Sequence, residues 1–227
     1  MKILGIETAT TVCGAALIAD GSVSGEAEIH EKNAHAERIM NLIDTVVEQS
    51  GIRLSELDAI AVSIGPGSFT GLRIGLSVAK GLCFSLDKPL VAVPTLHALA
   101  HRAVAENSVR TPYILAAIDA RRDEVYCQLF RRNGTTVHPE WEERDCTLDA
   151  LFSGVLNESV TITGDADAKF ASHHGGKGVT HVSGERARCS AATVGLLGEQ
   201  FAREGKFADI KTLEPKYIKE FYTNVAN

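Results

Sequence analysis

The chain is short of positive charge: 23 Lys and Arg stand against 29 Asp and Glu, a formal net charge of -6. A surface that wraps nucleic acid neutralises phosphates with clustered cations. The balance therefore argues against direct RNA wrapping, and any RNA involvement would take its basic surface from a partner. No stretch approaches the ~20 consecutive apolar residues of a membrane span. The opening MKILGIETAT is broken by Glu7 and reads as a strand, not a signal peptide. Paired cysteines are also missing. Cys13, Cys83, Cys127, Cys146 and Cys189 are scattered, odd in number and form no C-x-x-C. They read as reduced core or near-core thiols, which argues against a zinc site or a disulfide framework. No Ser-His-Asp order, nucleophile elbow or Gly-Lys-Ser/Thr Walker loop occurs.

At roughly 150 residues per domain, 227 residues make one large domain or two small ones. The chain opens as a meander: a strand over 2–8, a return over 11–19, the hairpin turn Asp20-Gly21, and a third strand over 22–29. A helix over 34–50 follows. Asn33 is its candidate cap, Gly51 its stop, and Ile39, Leu42, Ile43, Val46 and Val47 form one face. A short apolar strand (58–64), the loop GPGS (65–68), a second helix (69–86), a strand (90–93) and a third helix (to about 106) complete this half.

The pattern then restarts. Strands are expected at 113–119, 124–130 and 135–141, the last two joined by a turn at Asn133-Gly134. A helix (147–156), a strand (159–163), a short helix after Gly164-Asp165, a strand near 179–183 and a helix (190–204) follow. Ile6-Glu7-Thr8 and Ile118-Asp119-Ala120 hold matching places in the two halves. A duplicated meander followed by alternating helices and strands implies an α/β protein of two similar lobes, 1–108 and 109–227, with a cleft between them. One doubly wound sheet with a hairpin insertion is the alternative.

The local chemistry offers pieces of a site. Glu7-Thr8-Ala9-Thr10 forms a polar turn. Gly65-Pro66-Gly67-Ser68-Phe69-Thr70-Gly71 runs from a buried strand into a helix N-terminus, where free amides favour anions. It serves either as an anion site or only as a turn. Asp119, Arg121, Arg122, Asp123 and Glu124 either line the cleft or solvate its edge. Gly71, Gly75 and Ala79 fall four apart on the second helix and form a ridge almost without side chains. Glycine inside a helix costs about 1 kcal/mol against alanine, so close packing is expected there, either on the chain's own sheet or against a partner helix. Gly75→Glu is expected to block partner docking and to leave the fold largely intact. His97 and His101, four apart on the third helix, have metal-ligand spacing, but no third ligand is evident. His173-His174 beside Gly175-Gly176 reads as a loop.

Several segments together closely resemble the TsaB (YeaZ-type) family of bacterial tRNA threonylcarbamoyladenosine biosynthesis proteins. They are ILGIETATTVCGAAL, HAERIMNLID, LDAIAVSIGPGSFTGLRIGLSVAKGL, PLVAVPTLHALA, AAIDARRDEVY and PKYIK. The resemblance covers most of the chain and is strongest over 1–130. It implies an actin-like ATPase fold of the actin and sugar-kinase type. It also implies a non-catalytic accessory role: supporting TsaD, which with the ATPase TsaE transfers threonylcarbamoyl to N6 of the adenosine beside the anticodon.

The resemblance places the surface for TsaD, or for a homodimer, on the first two helices. The residues there are His35, Arg38, Ile39, Leu42, Gly71, Leu72, Gly75, Leu76 and Ala79. In actin-like ATPases the first turn carries Asp, Gly and Thr or Ser around phosphate. Here Glu7, Thr8, Thr10, Gly65, Gly67 and Ser68 would be a vestigial version of that site. No tightly bound cofactor is implied, and ATP or ADP is expected only within the complex. The catalytic paralogue's metal histidines fall by register on Thr95 and Leu99. His97 and His101 are displaced about 200° around the helix, so no metal site is expected. tRNA contact would be indirect, and the location cytoplasmic. A cleft-using ATPase or small-molecule kinase is the alternative; a protease is disfavoured for want of a nucleophile and base.

Overall fold

A computed structural model describes residues 1–31, 34–106, 109–154, 159–166, 169–170 and 178–219, with backbone only for 152–154. The first half contains β1 (Lys2–Glu7), β2 (Cys13–Ala19), β3 (Ser22–Ile29), α1 (His35–Ser50), β4 (Ala59–Ser63), α2 (Phe69–Leu86), β5 (Leu90–Val93) and α3 (Thr95–Ala105). The second contains β6 (Tyr113–Asp119), β7 (Glu124–Asn133), β8 (Thr136–Pro139), β9 (Arg144–Thr147), α4 (Leu148–Gly154), β10 (Val160–Thr163), β11 (Val179–His181) and α5 (Ala191–Arg203).

The two sheets repeat one topology. The first has the order β3-β2-β1-β4-β5, and the second β8-β7-β6-β10-β11 with β9 added against β7. In each, three antiparallel strands are extended by two parallel ones. Two lobes of similar sheet topology are thus present, and the single-sheet alternative is not.

Alternation along β1 sends Leu4 and Ile6 to one face and Ile3 to the other. Leu4 and Ile6 pack with Ile39, Ile43 and Val46 of α1 and with Leu76 and Ala79 of α2. Ile3, Ala61 and Val91 pack with Val194 and Leu197 of α5. The last helix therefore covers the first sheet, although it lies in the segment assigned by sequence to the second lobe. The amide of Ala191, at the start of α5, donates to Glu28 Oε1 of β3 at 2.6 Å. α3 crosses the other way: Leu96, Leu99 and Ala103 pack on Ile114, Ile118 and Phe130 of the second sheet. This exchange of helices ties the halves together and sets the cleft.

Most local expectations hold within a residue or two. Asp20 and Gly21 form the first hairpin turn with φ 47° and 79°, the left-handed values of a type I′ turn. Gly51 ends α1 at φ 67°. The second hairpin turns one residue later than expected, at Gly134-Thr135, because Asn133 still pairs with Thr136. β9 was not anticipated: its sequence RDCT is polar and owes its form to pairing with Glu124–Cys127 of β7. Asn33 lies outside the described residues; Ala34 holds the cap position of α1 without a side-chain bond. The His173-His174 segment and most of the short helix after Gly164-Asp165 also fall outside them. α2, at 18 residues, is long and apolar enough to cross a membrane by length and composition. Leu72, Leu76, Ala79 and Cys83 nevertheless pack inward, as in a core helix.

Candidate functional site

The cleft between the sheets encloses about 1080 Å³. Its walls are the β1–β2 turn, the loop from Pro66 into α2, the β6–β7 turn, Gly164-Asp165, residues 184–188 and the tail Lys216–Lys219. The walls come together because each sheet ends its central strand at this edge.

The residues read as a vestigial phosphate site divide. Thr10, Gly67 and Ser68 line the cleft; Glu7, Thr8 and Gly65 do not. Glu7 is wholly buried, and one carboxylate oxygen accepts the Ala9 amide at 2.5 Å. Burial pushes its pKa up to about 8, against the pull of the Ala9 amide and the Ser63 hydroxyl. Thr8 is also buried, and its hydroxyl has no hydrogen-bond partner. The Gly65 amide donates to Thr95 Oγ1 at 3.2 Å, and the tail carbonyl of Lys216 lies 2.4 Å from where a Cβ would stand on Gly65.

Two amides at the start of α2 are bonded within the chain. The Ser68 amide donates to the Ala9 carbonyl at 2.7 Å, and the Ser68 hydroxyl accepts from the Gly71 amide at 3.3 Å. A Cβ on Gly67 would stand 2.3 Å from the Ala9 oxygen. Glycine is needed at 67 so that the two loops can touch, backbone to backbone. The loop and the first turn thus close on each other at Ala9, Gly67 and Ser68.

Asp119 and Arg121 face the cleft. Arg121 and Arg122 hold left-handed φ values of 69° and 50°, a conformation that costs non-glycine residues about 1 kcal/mol or more. Asp119 offsets part of this: one oxygen accepts the Arg121 amide at 2.6 Å and the Lys169 ammonium at 2.7 Å. Arg122 and Asp123 are exposed, so the acidic and basic cluster partly lines the cleft and partly solvates its edge.

The tail bridges the lobes. The Lys216 amide donates to the Ile64 carbonyl of the first lobe at 2.7 Å. The Lys216 side chain pairs with Glu143, and that of Lys219 with Glu124 and, at 3.6 Å, Asp145. The Tyr217 hydroxyl accepts from Arg73 Nε at 3.0 Å, and its ring lies 4.9 Å from that of Phe69.

The residues read as a docking surface mostly face inward. Ile39, Gly71, Leu72, Gly75, Leu76 and Ala79 are buried within the chain, and Leu42 is half-buried. His35 is buried too; its Nε2–H donates to the carbonyls of Thr10 and Val12 at 3.1 and 3.2 Å and pins α1 to the first turn. Arg38 alone of the set is exposed. A Cβ on Gly75 would stand 2.1 Å from Thr8 Oγ1, and one on Gly71 2.2 Å from the Thr8 carbonyl oxygen. The bare ridge thus serves packing on the chain's own first turn, and Gly75→Glu cannot leave the fold intact as expected from sequence. The outward faces of α1 and α2 instead carry Met40, 44% exposed, and Phe84, 86% exposed. Sequence periodicity could have located them, since both lie off the buried stripe.

The family model described as "TsaD: tRNA N6-adenosine threonylcarbamoyltransferase" matches residues 26–220. The chain belongs to this family, as a TsaB or YeaZ-type protein. It is similar to the TsaB tRNA threonylcarbamoyladenosine biosynthesis protein of Escherichia coli, 40% identical over 133 residues that cover 59% of this chain and 56% of that one. The match spans little more than half the length of the curated relatives. A Pseudomonas aeruginosa structure described as similar to peptidase YEAZ superposes with a TM-score of 0.82 at 26% identity, covering 96% of this chain and 99% of that one. The activator of a 2-hydroxyisocaproyl-CoA dehydratase from Clostridium difficile shares the fold alone, with a TM-score of 0.50 at 9% identity, covering 90% of this chain and 97% of that one.

In this TsaB-type chain the two α3 histidines do not face the cleft. The His97 ring packs 5.4 Å from Phe130 and 5.7 Å from Phe201. Burial, with the neighbouring His101, pushes its pKa down to about 4. His101 is lowered as well, by burial. Both are partly buried, His97 between α3, β7 and α5. Thr95 and Leu99, the register positions of the paralogue's histidines, are buried. Among the described residues no three His, Cys, Asp or Glu side chains group as metal ligands.

Proposed function

We propose that the chain is a non-catalytic accessory subunit in tRNA threonylcarbamoyladenosine biosynthesis. It binds a TsaD-type paralogue through the outward faces of α1 and α2, in a complex that includes a TsaE-type ATPase, and self-associates when alone. The phosphate corner is vestigial, any ATP or ADP is held only within the complex, tRNA contact is indirect, and the setting is cytoplasmic. The observation that carries this reading is the closure of the phosphate corner by Ala9 against Gly67 and Ser68. The exposed Phe84 and Met40 support the docking face: burying an aromatic or Met side chain is worth about 1.5–3 kcal/mol.

Rescue of a strain lacking this chain tests the reading, with the modified nucleoside measured in bulk tRNA. Wild type should restore it. Phe84→Glu and Met40→Glu, which replace exposed side chains, should keep the wild-type melting temperature and weaken co-purification with the paralogue about 10-fold or more, a loss of about 1.4 kcal/mol or more. Full rescue with normal co-purification of both variants would exclude this face.

Asp119 and Arg121, which line the cleft, favour a second reading, a cleft-using ATPase or small-molecule kinase. Calorimetric titration of the isolated chain with Mg-ATP separates the two. The accessory reading expects no saturation up to about 1 mM, weaker than roughly 4 kcal/mol of binding; micromolar binding with hydrolysis would establish the kinase.

A further inference from the structure

β9 brings together two thiols that lie 19 residues apart in sequence. Val125 of β7 stands opposite Cys146, and Cys127 opposite Arg144. Residues two apart on a strand share a face, so Cys127 and Cys146 are diagonal neighbours on one side of the sheet. Their sulfurs are 3.2 Å apart and share a hydrogen bond, and both residues are free thiols. We propose that Cys127 and Cys146 close into an intramolecular disulfide on exposure to a peroxide, with Cys146 the thiol that reacts first.

Three features assign the order. Cys127 is buried, whereas Cys146 is half-exposed, so the oxidant reaches Cys146. The hydrogen bond from the Cys127 thiol favours the Cys146 thiolate, as does the Arg144 guanidinium; burial, Asp145 and Glu124 oppose it, and the net shift is downward. Cys127 is pushed the other way and stays protonated. The thiolate is the reactive form. Cys13 and Cys83 are buried with pKa values raised to about 11, and Cys189 is buried and raised too, so none competes.

The chemistry balances with the peroxide as oxidant. The Cys146 thiolate attacks one peroxide oxygen, the O–O bond breaks, hydroxide leaves, and Cys146 becomes a sulfenic acid. The Cys127 sulfur then attacks the Cys146 sulfur; its proton joins the departing hydroxyl as water, and the S–S bond forms. Two thiols and one hydrogen peroxide give a disulfide and two waters. A disulfide needs the sulfurs at 2.03–2.05 Å, about 1 Å closer than they stand. The bond would tie β9 to β7, beside Glu143 and Asp145, which hold the tail lysines.

The test uses the full chain, reduced, desalted and treated with hydrogen peroxide. Intact mass should fall by two hydrogens. Trypsin without reductant should yield Asp123–Arg131 joined to Asp145–Lys169, and dithiothreitol should separate them. Cys146→Ser should lose the joined peptide and keep Cys127 as a thiol. Cys127→Ser should leave Cys146 as a sulfenic acid captured by a 1,3-dione. Oxidation of Cys146 to sulfinic acid in wild type with Cys127 still a free thiol would overturn the proposal. So would pairing with Cys13, Cys83 or Cys189, or no mass change at peroxide levels that oxidise free glutathione.

Discussion

Gly75→Glu is expected to unfold the first lobe. The Cβ alone would stand 2.1 Å from Thr8 Oγ1, and the carboxylate would enter a site enclosed by α2 and β1. An unpaired buried charge costs several kcal/mol, a large part of the ~5–15 kcal/mol that holds a domain together. The smaller change separates steric clash from charge. Gly75→Ala should lose about 1–3 kcal/mol by overpacking, despite the ~1 kcal/mol that alanine gains over glycine in a helix. The obstructing atom is a side-chain hydroxyl with no hydrogen-bond partner, so Thr8→Ala removes it at little cost. The double variant Thr8→Ala/Gly75→Ala should recover most of the loss, a coupling of about 1–2 kcal/mol in denaturant titrations. Gly71→Ala is the control: its obstacle is the Thr8 carbonyl, which no side-chain change removes. Simple additivity at 8 and 75, or equal rescue at 71, would show that this packing is not what demands glycine.

Glu7 should withdraw stability as pH rises from about 4.5 to 8, a slope that the partly buried His97 and His101 oppose at its acid end. Its folded pKa is raised from 4.5 to about 8 by burial. A carboxyl raised in this way binds more protons folded than unfolded across that window. Its contribution is full below about pH 4.5 and is lost as pH climbs through 8. At about 1.4 kcal/mol per pH unit the span amounts to roughly 3–5 kcal/mol. Glu7→Gln keeps an oxygen for the Ala9 amide and cannot ionise. It should match wild type near pH 5 and exceed it by a few kcal/mol near pH 9. Parallel stability curves for the two proteins between pH 5 and 9 would show that Glu7 does not titrate in the fold.

The sequence exposed the elements well because its punctuation is strong. Asp20-Gly21 and Gly51 mark ends that only left-handed residues can make, and the alternation of β1 separates its two faces. Polar β9 carried no such mark, since its form comes from its neighbour. The site was less legible for the same reason. The glycine ridge on α2 announced close packing but not what packs there; the answer, Thr8, lies more than sixty residues earlier in the chain. The histidine pair on α3 had ligand spacing, and tertiary packing placed one ring against Phe130 and Phe201. Cys127 and Cys146 looked unrelated until β9 joined β7.

Local order along this chain, namely the duplicated meander, the helices between strands and the turns that end them, is written in residue periodicity and in glycine placement. Those signals act within a few residues and need no partner. The tertiary structure decided which faces are free: that α5 returns to the first sheet, that the ridge of α2 is spent on the first turn, and that the tail spans the cleft. These are contacts between distant segments. Each is set by which surfaces can exclude water together, a property of the folded arrangement rather than of any one stretch.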